Sequence, residues 1–393
     1  MGSKRKIKYG MVGGGPGAFI GEVHRMAVAV DGKTKLVAGS FSSDLQKTRQ
    51  MGQELDLDQD RLYDSFEEMA HKESKLPEEK RIDFVTVVTP NHLHFDVCKA
   101  FIEAGINVVC DKPMTNTIEE AEELCRLVEE NNVIFALTYT YTGYPMVKQA
   151  RQMIRDGKLG NLRKVIVEYP QGWLAEPIER KGENKQAAWR TDPDRAGVSA
   201  VVADIGSHAE NLVEYMAGLR LKELYADIHT FVEGRELEDD ANMLVHYEDG
   251  VRGVLYSSQI SIGEENDLKI RIYGDEASLE WRQEDPNYLH VKYPDKPEEI
   301  YKRGNPYLSD EANFVNRVPP GHPEGYIEAF ANIYSNVADT IAARIHGEEA
   351  DPKALDFPTV YDGAVGVHFI HKAIESGKKR EWVEMNYQPP GKG

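Results

Sequence analysis

The chain is short of cysteine, of positive charge and of long apolar runs, and each shortage removes a class of protein. Its 393 residues hold three cysteines, Cys98, Cys110 and Cys125. No C-x-x-C pair occurs and the count is odd, so a disulfide framework is not expected and a reducing, cytoplasmic setting fits. No apolar run approaches the ~20 residues of a membrane helix. Residues 9–12 are too short for a signal-peptide core. Gly2 follows the initiator, but strand-like residues begin at Ile7, which speaks against myristoylation. Lys and Arg total 47 against 66 Asp and Glu, a net charge of −19. Such a surface repels phosphate backbones, so nucleic acid is not an expected partner. A local phosphate site stays compatible, because backbone N–H groups at a helix start bind anions whatever the net charge. No internal repeat or low-complexity segment is present.

What is there alternates. Residues 7–12 read as a short buried strand and residues 18–30 as an amphipathic helix. Further strands are expected at 35–41, at 82–90 ("IDFVTVVTP"), at "NVVC" ending on Cys110, and at 133–139. Helices lie between them, and the one starting at Ile118 carries a Thr117/Glu120 capping box. Strands alternating with helices predict a doubly wound parallel α/β sheet over residues 1–140. Beyond residue 140 the pattern changes to strand-rich segments with short turns, including the hairpin signal Asp249-Gly250. Two long helices follow, near 326–345 and 360–376. The expectation is a second, α+β domain over residues 141–393 with a mostly antiparallel open sheet.

The stretch "YGMVGGGPGAFIGEVHR", residues 9–25, joins the first strand to the first helix. A dinucleotide turn reads G-x-G-x-x-G in this place. Gly13 and Gly15 supply the first two glycines, but Gly21 lies six residues after Gly15. Removing "PGA" (residues 16–18) restores the usual spacing, so a three-residue bulge is expected, with Phe19, Ile20 and Gly21 opening the helix. NAD-selective sites usually carry an acid at the end of the second strand. Here Ser42 stands there, with Ser43 beside it and Asp44 two residues on. Ser42 and Ser43 can accept a 2′-phosphate, and Asp44 can cap the next helix. Both NAD and NADP therefore fit.

Three further stretches carry a resemblance: "TPNHLH" (89–94), "CDKP" (110–113) and "WRTDPDRAG…ADIGSH" (189–208). With the glycine turn, "GHPEGY" (321–326) and the closing 362–383 segment, the chain resembles the glucose–fructose oxidoreductase / inositol dehydrogenase / MocA family, looking closest to its MocA-like branch. The resemblance implies Thr89, Pro90, Asn91 and His94 along the nicotinamide side, with Asp111, Lys112, Trp189 and Arg190 also at the cofactor. It implies Lys112, Asp204 and His208 as the catalytic set. The family's Glu-Lys-Pro reads Asp111-Lys112-Pro113 here, an acid one methylene shorter. The resemblance further implies a sugar or cyclitol substrate and homo-oligomers, dimers or tetramers. Some relatives cleave glycosides through transient oxidation, and others bind dinucleotide only as sensors. Sensors tend to lose the catalytic set, which is complete here.

The residue types suit the chemistry. Oxidising a secondary alcohol moves a hydride and a proton, and a nicotinamide takes only the hydride. The protein must handle the proton, for which imidazole, with a free pKa of ~6.5, is apt. His208 is the expected proton acceptor and donor with Lys112 as its partner, although either can formally take the proton. Asp204 and His208 are four apart, so a helix over 205–213 puts both on one face. Tyr139, Tyr141 and Tyr144 are candidate cleft residues, with Tyr141 and His322 candidate substrate contacts. His92 and His94 form an H-x-H pair with no third ligand nearby, so no metal is expected.

Overall fold

A computed structural model describes residues 5–181 and 184–391; Gly2 lies outside them. The chain divides into two compact units. The first comprises residues Met1–Thr140, Phe330–Ala364 and Pro389–Gly393, the second Tyr141–Ala329 and Val365–Gln388.

The first unit is built on β1 (Ile7–Gly13), β2 (Thr34–Ser40), β3 (Phe84–Val88), β4 (Asn107–Cys110) and β5 (Phe135–Leu137). They form one parallel sheet in the order β2-β1-β3-β4-β5. All five residues of β3 are buried, as a central strand covered on both faces requires. The intervening helices are α1 (Phe19–Ala29), α2 (Leu45–Glu54), α3 (Phe66–Ser74), α4 (His94–Glu103) and α5 (Ile118–Asn131). The capping box of α5 is formed at both ends of its pair, and Asn132 closes the helix in the left-handed conformation. The three cysteines are free and buried. Burial pushes the Cys110 thiol well up and the Cys125 thiol up to about 12, so neither yields a reactive thiolate.

A division at residue 140 into two contiguous domains omits a late return of the chain. Residues 330–364 belong to the first unit. Pro358 accepts a hydrogen bond from the Leu137 N–H, 2.8 Å, beside the edge strand β5. Tyr334 stacks on Phe330 with ring centroids 5.7 Å apart, and both are buried. The Leu137–Pro358 bond joins residues some two hundred positions apart, a separation over which local periodicity carries no information.

The second unit contains α6 (Pro145–Arg155), β6 (Leu162–Pro170), α7 (Lys185–Arg190), α8 (Pro193–Ala196) and α9 (Ser207–Ala217). Eight more strands follow: β7 (Leu221–His229), β8 (Asp240–Tyr247), β9 (Arg252–Ser258), β10 (Lys269–Gly274), β11 (Ser278–Arg282), β12 (Tyr288–Lys292), β13 (Glu299–Lys302) and, near the C-terminus, β14 (Val383–Glu384). The sheet runs β13-β12-β11-β10-β6-β9-β8-β7-β14. Only the β6–β9 pair is parallel. The Asp249-Gly250 turn joins β8 to β9, with φ of +61° and +83°, the left-handed pair that a tight hairpin demands. One face of the sheet packs its valines, leucines and Trp281 into a core with α6 and α9. On the other face Leu244 is 52% exposed, and cross-strand pairs such as Lys269–Glu280 and Lys292–Glu280 lie open to solvent.

Two long helices follow, α10 (Asp310–Phe314) being a short one before them: α11 (Tyr326–His346) and α12 (Val360–Lys379). In α12, His368 is buried and stacks on Tyr387, with centroids 4.4 Å apart. Burial, then Lys372 and His371, lowers its pKa to about 4. The folded state thus keeps this ring neutral, while the unfolded chain takes up a proton near ~6.5. The contribution is fully present above ~6.5 and lost as pH falls toward 4. Urea unfolding should show the protein losing roughly 2–3 kcal/mol more than His368→Gln between these pH values. Parallel pH curves for the two proteins would refute this.

Candidate functional site

Three loops meet the carboxyl edge of the parallel sheet, where open α/β sheets bind their ligands. The sheet order reverses beside β1, and the first loop leaves that strand. Gly13 and Gly14 have φ of +86° and +71°. A Cβ on Gly13 would lie 2.7 Å from the Val88 carbonyl oxygen, and one on Gly15 would lie 2.7 Å from that of Phe41. A Cβ on Gly21 would lie 2.4 Å from Gly14 Cα. All three glycines are therefore dictated by close backbone approach. The extra residues form a tight turn: Ala18 N–H donates to Gly15 O at 3.0 Å, with Pro16 and Gly17 at the corner and Gly17 at φ +77°. The helix then opens at Phe19, which is 66% exposed, and Ile20 is half-buried. Such a cradle fits a dinucleotide: it brings the start of a helix to an uncluttered glycine surface.

At the end of β2, Ser42 is half-buried, and its N–H donates to Thr48 Oγ1 at 3.0 Å. Asp44 caps α2 by accepting the Gln46 N–H at 2.9 Å. After β3, Pro90 leads a short helical turn, Asn91–Leu93, with Asn91 buried and Thr89 half-buried. His94 opens α4 and is fully enclosed. Its Nδ1 lies 2.8 Å from the Pro113 carbonyl oxygen and its Nε2 2.8 Å from that of Thr89. The ring thereby clamps the loop after β3 to the loop after β4. Burial lowers its pKa, with Asp111 and the two carbonyls opposing. Because both nitrogens face backbone, His94 offers no free nitrogen to a metal, and His92 is exposed.

The loop after β4 carries Asp111 and Lys112, both half-buried. Asp111 Oδ1 accepts from the Lys112 N–H at 2.9 Å and from Thr138 Oγ1 at 2.8 Å. Burial pushes the carboxyl up, but the neighbouring His24, Lys112 and His94 outweigh it. Asp111 is held well below the usual carboxylate range. Here the shorter acid keeps its own loop in place.

In the second unit, a single helix over 205–213 is not what forms. Residues Val202–Gly206 make a π-helical turn, and α9 starts only at Ser207. A buried carboxylate explains the local pose: Glu238 accepts from the Val202 N–H at 3.1 Å and from the Ser199 hydroxyl. Gly206 then closes on Ser257 of β9, where a Cβ would have 3.2 Å. Asp204 sits in the wide turn and His208 in the first turn of α9. Wide turns of this kind cluster at functional sites because they re-aim one residue within a helix.

Asp204 Oδ2 accepts from Gln259 Nε2 at 2.7 Å and Arg190 Nε at 3.1 Å. Arg190 lies over the Trp189 ring, 4.2 Å from its centroid, and 5.8 Å from that of Trp173. His208 is buried, and the Tyr141 ring meets it edge-on at 4.8 Å. Tyr141 and Tyr169 pair through their hydroxyls. Tyr169 donates to Asn266 Oδ1 at 2.8 Å, and Asn266 Nδ2 donates back to Tyr141 at 3.4 Å. Gln171 Nε2 shares Asn266 Oδ1 at 2.7 Å. Burial pushes both tyrosine hydroxyls up, so they stay donors. Beside Asn266 opens a cavity of about 510 Å³ lined by Tyr144, Glu265, Gln283, Glu284 and Tyr326, among others. His322 lies on an exposed loop, its carbonyl held by the buried Arg303. Tyr326, four residues on, reaches the cavity; His322 does not line it. Tyr139 is buried in the first unit.

Tyr169, Gln171, Gln259 and Asn266 join this constellation although nothing in their local sequence marks them. Tyr169 is the penultimate residue of β6, and Gln171 and Gln259 follow the ends of β6 and β9; that placement is the one signal available.

Known proteins are similar to this chain over most of its length. The oxidoreductase family with an NAD-binding Rossmann fold matches residues 7–139, and the GFO/IDH/MocA C-terminal domain matches residues 147–280. The chain belongs to the Gfo/Idh/MocA oxidoreductase family. An inositol dehydrogenase homologue from Azotobacter vinelandii, complexed with NAD⁺, is 37% identical, with 97% of each chain covered and a TM-score of 0.92. A structure of such a homologue with NADH and myo-inositol is 36% identical over 97% of this chain and 98% of that one, with a TM-score of 0.89. The uncharacterized oxidoreductase YfiI of Bacillus subtilis is 35% identical over 97% of both chains. This Gfo/Idh/MocA protein is an NAD-binding oxidoreductase with a parallel Rossmann sheet and a mostly antiparallel second sheet. Among the described residues no helix is long and apolar enough to cross a membrane.

Proposed function

We propose that the chain oxidises a secondary ring hydroxyl of a cyclitol, aldose or related sugar, with NAD or NADP as acceptor. The observation that carries this reading is the carboxyl edge of the parallel sheet, with a glycine cradle after β1 and Lys112 after β4. Gly13, Gly15, Phe19, Ile20, Gly21, Ser42, Thr89, Pro90, Asn91, His94 and Asp111 are assigned to the dinucleotide, with Trp189 and Arg190. When bound, the nicotinamide supplies the hydride acceptor. Lys112 and His208 hold and move the hydroxyl proton, and Asp204, fixed by Arg190 and Gln259, orients the substrate. Tyr141, Tyr169 and Asn266 present alternating donors and acceptors, which suits a ring bearing several hydroxyls. The Azotobacter relative's complex with myo-inositol supports the cyclitol class. His322 remains a candidate contact. At the end of β2, Asp44 caps α2 and lies 3.9 Å from Lys47 Nζ, so both dinucleotides stay within the proposal. The half-exposed outer face of the second unit's sheet is the proposed site of self-association.

The test is absorbance of the reduced nicotinamide with NAD and NADP separately, against inositols, aldoses and glycosides. Turnover with a free cyclitol or sugar is expected. A glycoside cleaved with no net cofactor reduction would transfer the reading to closed-cycle hydrolysis. Tight dinucleotide binding with no turnover on any substrate would make it a sensor.

A further inference from the structure

His24 has no role in the reading above, yet it is fully buried and touches the Lys112 loop. It lies on α1, three residues after Gly21, so helix, glycine cradle and imidazole form one rigid piece. Its ring packs edge-on to Phe330 at 4.6 Å, an environment that an apolar side chain would fill at lower cost. Nδ1 lies 2.6 Å from the Tyr334 hydroxyl, which lies 3.3 Å from Thr86 Oγ1 on β3; with Tyr334 donating to Nδ1, the ring proton sits on Nε2. Nε2 faces Asp111 Oδ2 at 3.9 Å and makes no hydrogen bond among the described residues. The other carboxylate oxygen of Asp111 is already committed to the Lys112 N–H and Thr138.

We propose that His24 is a positioning residue for Lys112, acting through Asp111. The inference rests on the assignment of Lys112 to proton handling. A largely desolvated carboxylate oxygen favours a polar partner, and with Oδ2 turned to His24 the carboxyl holds Oδ1 on the Lys112 N–H. His24 supplies that partner from α1. Through Tyr334 and Thr86 it also ties the loop after β4 to β3. The cradle and the Lys112 loop thus keep a fixed spacing, as a near-attack geometry requires.

The experiment compares His24→Leu, His24→Gln, Asp111→Asn and the Leu/Asn double variant. Two readouts are used: steady-state kinetics with dinucleotide affinity, and ¹⁵N NMR of the histidines in ligand-free protein. His24→Leu should lower kcat about 10- to 100-fold with dinucleotide Kd nearly unchanged. His24→Gln, which keeps a donor, should recover part of the loss. The double variant should be no worse than Asp111→Asn alone. In ligand-free protein, Asp111→Asn should move the His24 nitrogen resonances. Multiplicative losses in the double variant, or His24 resonances indifferent to Asp111, would overturn the proposal. So would a fall in kcat that only tracks melting temperature. A fully active Lys112→Ala together with an NMR response would instead sink the Lys112 assignment while leaving the His24–Asp111 pair standing. Silent resonances beside an inactive Lys112→Ala would do the reverse.

Discussion

Lys112→Met should lower turnover by about 10³-fold, the usual scale for losing a group that moves a proton in the transition state. Dinucleotide affinity should change little, because the cradle residues are untouched. The backbone N–H of residue 112 still donates to Asp111, so the loop keeps its anchor and the loss belongs to the side chain. Lys112→Arg sharpens the result. Arginine retains the charge and the donors but is not deprotonated in proteins. If Lys112 only places positive charge near the developing alkoxide, the arginine variant should recover much of the rate. If Lys112 itself takes the proton, arginine should be as inactive as methionine, and His208 is then the relay onward. Equal, near-normal turnover in both variants would remove Lys112 from the chemistry altogether. Measurement of kcat and KM for alcohol, with dinucleotide Kd by titration, separates these outcomes.

Gly21→Ala should damage the cradle more than its single methyl suggests. The new Cβ would stand 2.4 Å from Gly14 Cα, and the obstacle is backbone, not a side chain that can swing aside. Overpacking against fixed atoms costs ~1–3 kcal/mol. The turn can relieve it only by moving Gly14, whose left-handed conformation shapes the loop. A cost of ~2 kcal/mol expressed in binding is a roughly 30-fold weaker Kd for dinucleotide. Isothermal titration with NAD and NADP, together with thermal unfolding of ligand-free protein, measures how the cost divides. Unchanged affinity for both dinucleotides would mean that the cradle is not the phosphate seat. Gly17→Ala is the natural comparison: its Cβ would meet nothing within 4 Å, and only its φ of +77° is strained.

Much of the first unit was legible because its signals are local. The Thr117/Glu120 box, the buried strand "FVTVV" and the six-residue interval from Gly15 to Gly21 are each set by neighbours in sequence. Backbone sterics at a single turn suffice to dictate them. Even the bulge was readable, since Pro16-Gly17 has a strong turn preference of its own. The cap that Asp44 offers is equally local, a two-residue hydrogen bond to Gln46. Asp204 and His208 are singled out by type and interval, but that interval implies an ordinary helix. The wide turn at Val202–Gly206 depends on Glu238 and Ser257, more than thirty residues downstream, so no helical periodicity encodes it.

The sequence by itself determined the classes of element, the parallel and antiparallel halves and the chemistry-bearing residue types. Periodicity, capping and glycine sterics act over a few residues, and those forces are written in the order of the chain. Only the tertiary structure decided the company each group keeps: Gln259 and Arg190 on Asp204, Asn266 between two tyrosines, and His24 against Asp111. It alone brought residues 330–364 back to the parallel sheet. Those choices come from burial: a polar group taken out of water must find its partner wherever packing brings one, and packing ignores distance along the chain.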